Sequence, residues 1–543
     1  MANSKLLDSL KNVKNEAGGV AHKLTPMQTL ALLSTTSCLN NTTYVTGEKQ
    51  LGQILQAALQ VEPSFVAKCA VYSRELYHMK DVPALLLAVL AARKENALLR
   101  QVFSRVIDNG EMLRNFFEFV RSGVTGRKSF GTAPKQLMVN WFNSHTPAEI
   151  WQQSVGTPSF KDILRCIRPR PLDRTRSALY AWFVDKNYDF EFLPEKLKSY
   201  EEWKEGKSTD MPKTDFRMYT NRPLSTEQWT TLAKMSSWFW LMRNLATMLR
   251  HQVFTVPGMV EYVANRLGDE AEIKKSRVFP YQIMTAYQNT VGLPNHLKGA
   301  LERAMEIATR NVPSFPASTV TGDKENPPAY VFTDVSGSMK NPVTGHRAGS
   351  TTVTRCVDVA ALLACCFLRN NPTTDLSFFN TKVVPFTVDP TQTVMSNASN
   401  IGKIADGGTA CSAPLKALND TNRHGDLLIC ISDNQSWCES MNTTRFGRKA
   451  EVAESQLQME WKRWKQRNPN AKMVCIDVAP YATTQVQEMK DVLNIGGFSD
   501  NVFKLIKQFI DGDLDGNHVV GEIAKVDLKG KKLKNTSEET EVE

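Results

Sequence analysis

Three oxygen-bearing side chains alternate in the segment VFTDVSGSMK, residues 331–340: Asp334, Ser336 and Ser338. In an extended segment, residues i, i+2 and i+4 point to the same side, so one carboxylate and two hydroxyls converge. Converging oxygens suit a hard cation, but short polar side chains also cap helices, and this motif alone fits either use. A metal site would need further oxygen ligands from other strand ends.

The pattern after residue 326 predicts the elements that would supply those ligands. Fully apolar strands separated by helices are typical of a doubly wound α/β sheet, whose ligands bind beyond the carboxyl ends of the strands. The expected strands are 329–335, 374–380, 426–433 and 471–480, and the expected helices are 354–370, 413–420 and 450–466.

Two further residues should reach the same edge of this sheet. Asp433 ends the strand at 426–433, and Thr409 lies in the glycine-rich loop GGTACS just before a helix. Together with Asp334, Ser336 and Ser338 they form an all-oxygen set, which suits Mg²⁺ or Mn²⁺ and not zinc. The set contains no His or Cys and offers no evident general base, so we expect no enzymatic activity.

Positive charge is concentrated in the first part of the chain. Residues 1–320 carry 41 Lys and Arg against 29 Asp and Glu, a net charge of +12, whereas the rest of the chain carries −2. Residues 121–180 alone hold ten basic and three acidic side chains. A basic field confined to one region indicates a polyanionic partner, most often nucleic acid, although a solvated surface with an accidental imbalance gives the same numbers.

The composition is that of a globular protein, with 42% apolar and 22% charged residues. No apolar run reaches the roughly 18 residues that span a bilayer, and the polar N-terminus lacks the features of a secretory signal. The ten cysteines include no C-x-x-C pair, which argues against both a disulfide framework and a zinc site. We expect a cytoplasmic protein without a membrane partner.

Helical spacing of apolar residues fills the part of the chain before residue 320. No strict repeat period is visible, so helix density alone predicts an all-helical, solenoid-like or ring-like array. The segment FPASTVTGDKENPPAY, residues 315–330, has the composition of a linker. The expected organisation is a helical module at 15–320, an α/β domain at 326–512 and a polar tail at 513–543.

Two sets of motifs resemble known families. D-x-S-x-S, then G-G-T, then an apolar strand ending in Asp, resembles the metal-ion-dependent adhesion site of a von Willebrand factor A domain. Before it, five motifs occur in the order of the helical-repeat module of the Ro ribonucleoproteins: VYSRELYHMKDVPALLLA, SGVTGRKSFGTAPKQL, FKDILRCIRPRP, MRNLATM and SRVFPYQIMTA. The chain is therefore similar to Ro proteins over roughly residues 15–512, and its divergence favours a bacterial or phage-borne member.

The resemblance implies a toroid of HEAT-like repeats closed by the A domain. Such proteins bind small noncoding Y RNAs on the outer ring surface and take single-stranded ends of misfolded RNAs into the central hole, in RNA quality control or processing. It implies a monomer that binds Y-like RNA and misfolded or structured RNA with single-stranded ends, with an exoribonuclease as a further candidate partner.

The resemblance also carries over residues. Lys161 and Arg165 match the Y RNA-contacting helix, and Arg168 and Arg170 keep the positive charge where the family tends to have His and Lys. For Arg243 a buried structural pair is an equal alternative. The remaining implied RNA contacts are Arg127, Lys128, Lys135, Arg243, Asn244, Lys275 and Arg277.

One departure concerns the metal site: Ala410 stands after Thr409 where the family often has Asp, which would weaken metal affinity. The alternative function is an A-domain adaptor that grips a partner protein's carboxylate through its metal, with the helical array as scaffold only. That class predicts a neutral helical half, which this chain lacks. A metal-dependent nuclease or phosphatase would need an additional acid or base beside the metal.

Overall fold

The structure, a computed structural model, describes residues 12–42, 44–214, 218–219, 223–276, 278–312, 314, 327–346, 354–438, 444–445, 448–449, 454–479, 481–497, 501–514, 517–530 and 533. The chain divides into two compact units. The helical unit comprises residues 62–264 and 527–532. The α/β unit comprises residues 1–61, 265–526 and 533–543.

Before residue 312, the described chain is helical apart from two short strands, β1 (Asn12–Lys14) and β2 (Val20–Lys23). The helices are α1 (Pro26–Thr36), α2 (Gly47–Gln60), α3 (Pro63–Glu75), α4 (Asp81–Ala92), α5 (Asn96–Val106), α6 (Gly110–Ser122), α7 (Thr132–Ser144), α8 (Pro147–Gln152), α9 (Phe160–Ile167), α10 (Arg174–Phe183), α11 (Glu195–Lys204), α12 (Thr226–Met235), α13 (Trp238–Arg243), α14 (Leu245–Arg250), α15 (Met259–Leu267), α16 (Glu270–Ser276), α17 (Pro280–Gln288) and α18 (Asn295–Ala308). None of the described helices is long and apolar enough to cross a membrane.

Helix starts in this part follow local capping chemistry. At α8, the Thr146 hydroxyl accepts a hydrogen bond from the Glu149 N–H at 3.3 Å, and the Glu149 carboxylate accepts one from the Thr146 N–H at 2.7 Å. Pro147 takes the first helical position, where its missing N–H costs nothing. The same reciprocal cap starts α9, between Ser159 and Asp162. Such caps fix where each helix begins independently of its packing.

Helices of the helical unit pack against near neighbours along the chain. Helix α3 contacts α4 and α5, α4 also contacts α6, and α5 contacts α7. Their inward residues form an apolar core, with Leu85, Phe116 and Trp151 fully buried. Contacts limited to elements that are close in sequence are typical of helical-repeat arrays. The predicted all-helical array is confirmed for this unit.

After residue 327, strands and helices alternate. The strands are β3 (Ala329–Asp334), β4 (Asp375–Phe379), β5 (Val383–Val384), β6 (Leu427–Ser432), β7 (Thr444–Arg445), β8 (Arg448–Lys449), β9 (Lys472–Asp477), β10 (Thr483–Thr484) and β11 (Val492–Gly496). The helices are α19 (Cys356–Asn370), α20 (Val394–Ile401), α21 (Ala413–Asp420), α22 (Gln456–Arg467), α23 (Asn501–Asp511) and α24 (His518–Ala524).

Six of these strands form one sheet in the order β11-β9-β6-β3-β4-β5, in which every pair is parallel except β4 with β5. Strands β3 and β6 are buried along their whole length, as expected for a parallel sheet covered on both faces. They are neighbours, with Thr333 opposite Ile431. The carboxyl ends of β3 and β6 therefore lie side by side, and the doubly wound α/β fold is confirmed.

The N-terminal segment belongs to the α/β unit, not to the helical array in which the sequence placed it. Strand β2 pairs with β1 and with β10, forming a small antiparallel sheet. Helix α1 packs against β11 and α24. Strand pairing between segments so distant in the chain produces no pattern in the local sequence, so neither β1 nor β2 was expected.

The segment expected to be a polar tail also contributes to this unit. Helix α24 packs on α1 and β11, with Val519 and Ile523 buried. Two apolar positions four residues apart lie on one face of a helix, so a seven-residue helix can be anchored within a polar composition. Residues 534–543 lie outside the described part of the chain.

Packing of α1 on β11 can be tested at Gly496. An added Cβ there would lie 2.5 Å from Leu32 Cδ1 and 2.6 Å from Thr36 Cγ2, so Gly496→Ala should destabilise the α/β unit by about 1–3 kcal/mol through overpacking. At Gly52, within α2, no atom lies within 4 Å of such a Cβ, and Gly52→Ala should stabilise by about 0.5–1 kcal/mol. Thermal unfolding of both variants measures this; equal shifts would contradict the packing.

Candidate metal centre and nucleic-acid interface

The candidate metal centre lies where β3 and β6 end. Asp334 is the last residue of β3, and Ser336 and Ser338 follow it into a single turn of 3-10 helix, Gly337–Lys340. Asp433 follows the last residue of β6. Because β3 and β6 are adjacent and parallel, these side chains meet at one edge of the sheet.

Backbone hydrogen bonds bring the loop containing Thr409 to this edge. The Gly337 N–H donates to the Gly407 carbonyl at 2.8 Å, and the Asp406 N–H donates to the Val335 carbonyl at 2.8 Å. Gly407 has a φ of 81°, a left-handed conformation that glycine adopts without steric cost. The loop therefore runs beside the D-x-S-x-S segment.

On its other side, the same loop is tied to the segment after β6. The Thr409 carbonyl accepts hydrogen bonds from the N–H groups of Trp437 and Cys438, both at 3.2 Å. The Cys411 N–H donates to the Ser436 hydroxyl at 3.1 Å. Thr409 is thus held between the two strand ends and is 1% exposed.

Asp334 is orientated by its neighbours. One carboxylate oxygen, Oδ1, accepts from the Ser336 N–H at 2.8 Å, and Oδ2 accepts from the Ser432 hydroxyl at 2.6 Å. The hydroxyls of Ser336 and Ser338 lie 3.2 Å apart, and Ser338 also hydrogen-bonds Asp433. All five residues expected from the sequence to bind metal therefore come to one edge, and all are buried.

The electrostatics of this edge are those of two carboxylates without a counter-charge. Burial raises the pKa of Asp334. Burial and the neighbouring Asp334 charge raise the pKa of Asp433 to about 7. Within the described residues, neither carboxylate forms an ion pair with Lys or Arg. Two buried like charges disfavour each other's ionised form, and a bound cation would relieve both.

The donors present fit a hard divalent cation. Two carboxylates and three hydroxyls are the oxygen ligands that Mg²⁺ and Mn²⁺ take. Within the described part of the chain, no cluster of three or more His, Cys, Asp or Glu forms a metal site of another type. Ala410 is buried, and its N–H donates to the carbonyl of Asn380, between β4 and β5, at 2.8 Å.

The sequence interpretation missed a third buried carboxylate nearby. Asp477 ends β9, the strand next to β6, and accepts a hydrogen bond from Asn434 Nδ2 at 3.1 Å. Burial raises the pKa of Asp477 well above its usual range. The signal was available: VCID, like ICISD, is an apolar strand ending in Asp.

The N-terminal segment also reaches this edge, although no local sequence pattern predicted it. Tyr44, in the loop between α1 and α2, hydrogen-bonds Ser338 and lies near Asp433. Its ring packs 6.0 Å from that of Tyr481. Asn15 Nδ2 donates to the Ser436 carbonyl at 2.7 Å. Residues far before the α/β domain therefore complete the walls of the candidate metal centre.

The candidate nucleic-acid interface centres on α9. Its inward face carries Phe160, Ile163, Leu164 and Ile167, all buried, which leaves Lys161 and Arg165, four residues apart, on the outward face. Lys161 forms an exposed ion pair with Asp185, and Arg165 has no ion pair among the described residues. The sequence expectation that both point away from the core agrees with this geometry.

The chain after α9 adds further exposed cations. Arg168 caps the helix in a left-handed conformation, with a φ of 49°, and Arg170 follows it two residues later. Both side chains are exposed, and within the described residues neither forms an ion pair. Lys161, Arg165, Arg168 and Arg170 thus form one basic stretch, which we call the α9 surface.

The second expected cluster, Arg127, Lys128 and Lys135, contains one structural residue and two solvent-facing ones. Arg127 donates to three backbone carbonyls, of Ala91 at 2.7 Å, Ser129 at 2.8 Å and Phe130 at 3.0 Å. Its guanidinium therefore holds the loop between α6 and α7. Lys128 in that loop and Lys135 in the first turn of α7 are exposed, so their charges face solvent.

The remaining expected RNA contacts are scattered. Arg243 is exposed, 5.7 Å from the Phe239 ring centroid, so the alternative of a buried pair does not hold. Asn244 donates to the Trp240 carbonyl at 2.9 Å and ends α13. Lys275 is exposed on α16, in the α/β unit. Arg277 lies outside the described residues.

Comparison with known proteins matches both parts of the chain. The Ro60 vWA domain family matches residues 329–510, and the TROVE domain family matches residues 192–312. The RNA-binding protein RO60 of Deinococcus radiodurans is 23% identical across 93% of this chain and 96% of its own length. The RNA-binding protein RO60 of Caenorhabditis elegans is 24% identical across 53% of this chain and 42% of its own length.

The fold is shared with a solved structure. The crystal structure of the Deinococcus radiodurans RO (RSR) protein superimposes with a TM-score of 0.57 at 18% identity. The match covers 90% of this chain and 100% of that chain.

The raised pKa of Asp433 predicts a pH dependence once divalent cations are removed by chelation. Folding raises this pKa from 3.8 to about 7, so between these pH values the folded chain binds more protons than the unfolded chain, and stability falls as pH rises. We expect the melting temperature to fall by roughly 5 °C between about pH 5.5 and 7.5. The control is Asp433→Asn, whose amide does not titrate. A variant with the same pH dependence as wild type would contradict the pairing of buried carboxylates.

Proposed function

Because the chain belongs to the Ro family, we propose that it is an RNA-binding protein that takes small noncoding, Y-like RNA on the α9 surface. We propose further that it takes single-stranded ends of misfolded or structured RNAs at a second site, in RNA quality control or processing. The protein itself binds the RNA, and a partner such as an exoribonuclease carries out any degradation of the bound RNA.

One observation carries this proposal. Arg165, Arg168 and Arg170 are exposed on one short stretch of chain, and none forms an ion pair within the described residues. Other arginines of the helical unit pair with a carboxylate, as Arg74 does with Asp108 at 2.8 Å. Several unpaired guanidinium groups close together create a positive field that phosphates can neutralise.

The chemistry of the α9 surface suits the phosphates of a structured RNA. Arginine side chains contact phosphate oxygens in a fixed, often bidentate geometry. Lys161 can exchange its exposed carboxylate partner Asp185 for a phosphate at little cost, because exposed ion pairs contribute little. Contacts of this kind position an RNA without reading its sequence.

For single-stranded ends, the proposal rests on Lys128 and Lys135. Both are exposed, and Arg127 holds their loop by its three carbonyl contacts. Phosphate contacts would come from the two lysines, and Arg127 would keep the loop in place. The expectation that such ends enter a central hole stays a prediction.

We propose that the metal centre holds Mg²⁺, or Mn²⁺, through Asp334, Ser336, Ser338, Thr409 and Asp433. When bound, the ion supplies a positive charge that lets both buried carboxylates ionise. The alternative function, an adaptor that binds a partner's carboxylate at this metal, shares the same site. It is less favoured because it gives no role to the unpaired arginines of the α9 surface.

The RNA proposal predicts how the affinity for RNA depends on salt concentration. Replacing Lys161 and Arg165 together by Ala should weaken binding of a structured RNA and reduce the slope of log affinity against log salt by about one to two units, because about one counterion is released per phosphate contact. Affinity measured across a salt series checks this.

The matched control is Lys416→Ala with Arg463→Ala, which removes the same charge from two exposed side chains that share Asp420. It should leave the slope unchanged. An equal reduction in both double variants would mean that net charge alone drives binding and would contradict a specific role for α9.

The metal proposal predicts ligand stabilisation. Mg²⁺ at about 100 times its dissociation constant should stabilise the wild-type protein by about 2.7 kcal/mol, or about 5–10 °C in melting temperature. Asp334→Asn should abolish this gain, since it removes one of two anionic ligands while keeping the shape. Asp513→Asn, at an exposed position, should retain the full gain. A wild-type gain in Asp334→Asn would overturn the assignment.

A further inference from the structure

Two large apolar side chains are exposed within the basic part of the helical unit. Tyr188 and Leu172 are 41% and 63% exposed, and among the described residues of this unit no other large apolar side chain is exposed. Leu172 lies two residues after Arg170 of the α9 surface, and Tyr188 lies two residues after Lys186 in the loop after α10. Single exposed apolar residues are ordinary. Their occurrence beside the unpaired arginines is informative.

Contacts place the Tyr188 loop beside α9. Asp185, three residues before Tyr188, pairs with Lys161, so the Cα atoms of Asp185 and Tyr188 lie no more than about 11 Å apart. After Tyr188, the ring of Phe192 lies under the Arg174 guanidinium, 5.4 Å from it. Tyr188 therefore lies between two cation contacts along the chain, one at Asp185 and one at Phe192.

The fold itself does not require an aromatic residue at this position. Among the described contacts, Tyr188 has no hydrogen bond and no packed ring. Its neighbour Phe183, in contrast, packs on Phe160 with ring centroids 6.0 Å apart. An aromatic ring left half in water near several cations offers a flat face for a stacked base.

We propose that Tyr188 is a stacking platform for one unpaired base of an RNA whose adjoining phosphates lie on the α9 surface. The inference rests on the proposed RNA binding and narrows its ligand to helices that carry an unpaired nucleotide. A base paired within a helix is stacked on both faces, whereas a bulged or terminal base can turn onto a protein ring.

The test uses two RNA hairpins with the same stem, one fully paired and one with a single unpaired adenine. Tyr188→Ala should bind the bulged hairpin about five- to tenfold more weakly than wild type and the paired hairpin less than about twofold more weakly. Tyr188→Phe keeps the ring and should bind both as wild type does. The salt slope should be the same in all three proteins, because no phosphate contact is removed.

A fluorescent base analogue, 2-aminopurine at the unpaired position, reports stacking directly. Its emission should fall on binding to wild type and Tyr188→Phe and stay high with Tyr188→Ala. Equal losses of affinity for both hairpins, or unchanged affinity of Tyr188→Ala for the bulged hairpin, would contradict the stacking role of Tyr188. Neither result would contradict the proposed RNA binding. A wild-type protein that binds neither hairpin would overturn the proposed function, and the platform with it.

Discussion

Two carboxylates buried side by side, with no Lys or Arg paired to either among the described residues, impose the strongest constraint on the α/β unit. Asp334 and Asp433 are both essentially inaccessible to water, and their ionised forms repel each other in a medium that solvates charge poorly. Hydroxyl and backbone donors, such as Ser432 on Asp334, hold the oxygens in place without neutralising them. The centre of the sheet, its loops and the covering N-terminal segment are thus arranged around a charge that an added cation would balance.

The helical unit has the opposite character, because part of its positive charge is left without a partner. Arg127 and Arg105 show how the fold uses cations structurally: the first donates to three carbonyls, and the second pairs with Glu75 at 2.7 Å. Within the part of the chain that the structure describes, Arg165 and Arg170 do neither. The charge count of the sequence therefore combines arginines that stabilise the unit with arginines that remain available to a polyanion, and only the contacts separate them.

The central sheet and the metal centre could be predicted because their signals are local. Buried parallel strands are continuous apolar runs, and Asp334 and Asp433 directly follow two of them. What the sequence could not show depends on contacts between distant segments. Strand β2 pairs with β10, and Tyr44 reaches Ser338, although nothing near residue 44 indicates a metal edge. Strand β11 was missed because Asn494 and two glycines dilute its apolar run.

In the function proposed above, RNA binds through the α9 surface and its neighbouring loop, and not through the metal edge. Ultraviolet crosslinking of a bound hairpin to the wild-type protein, followed by mass spectrometry of the digested complex, tests it most directly. We expect crosslinked peptides within residues 161–192, including Tyr188. Crosslinks confined to residues 334–338 and 407–411, with none within 161–192, would contradict it.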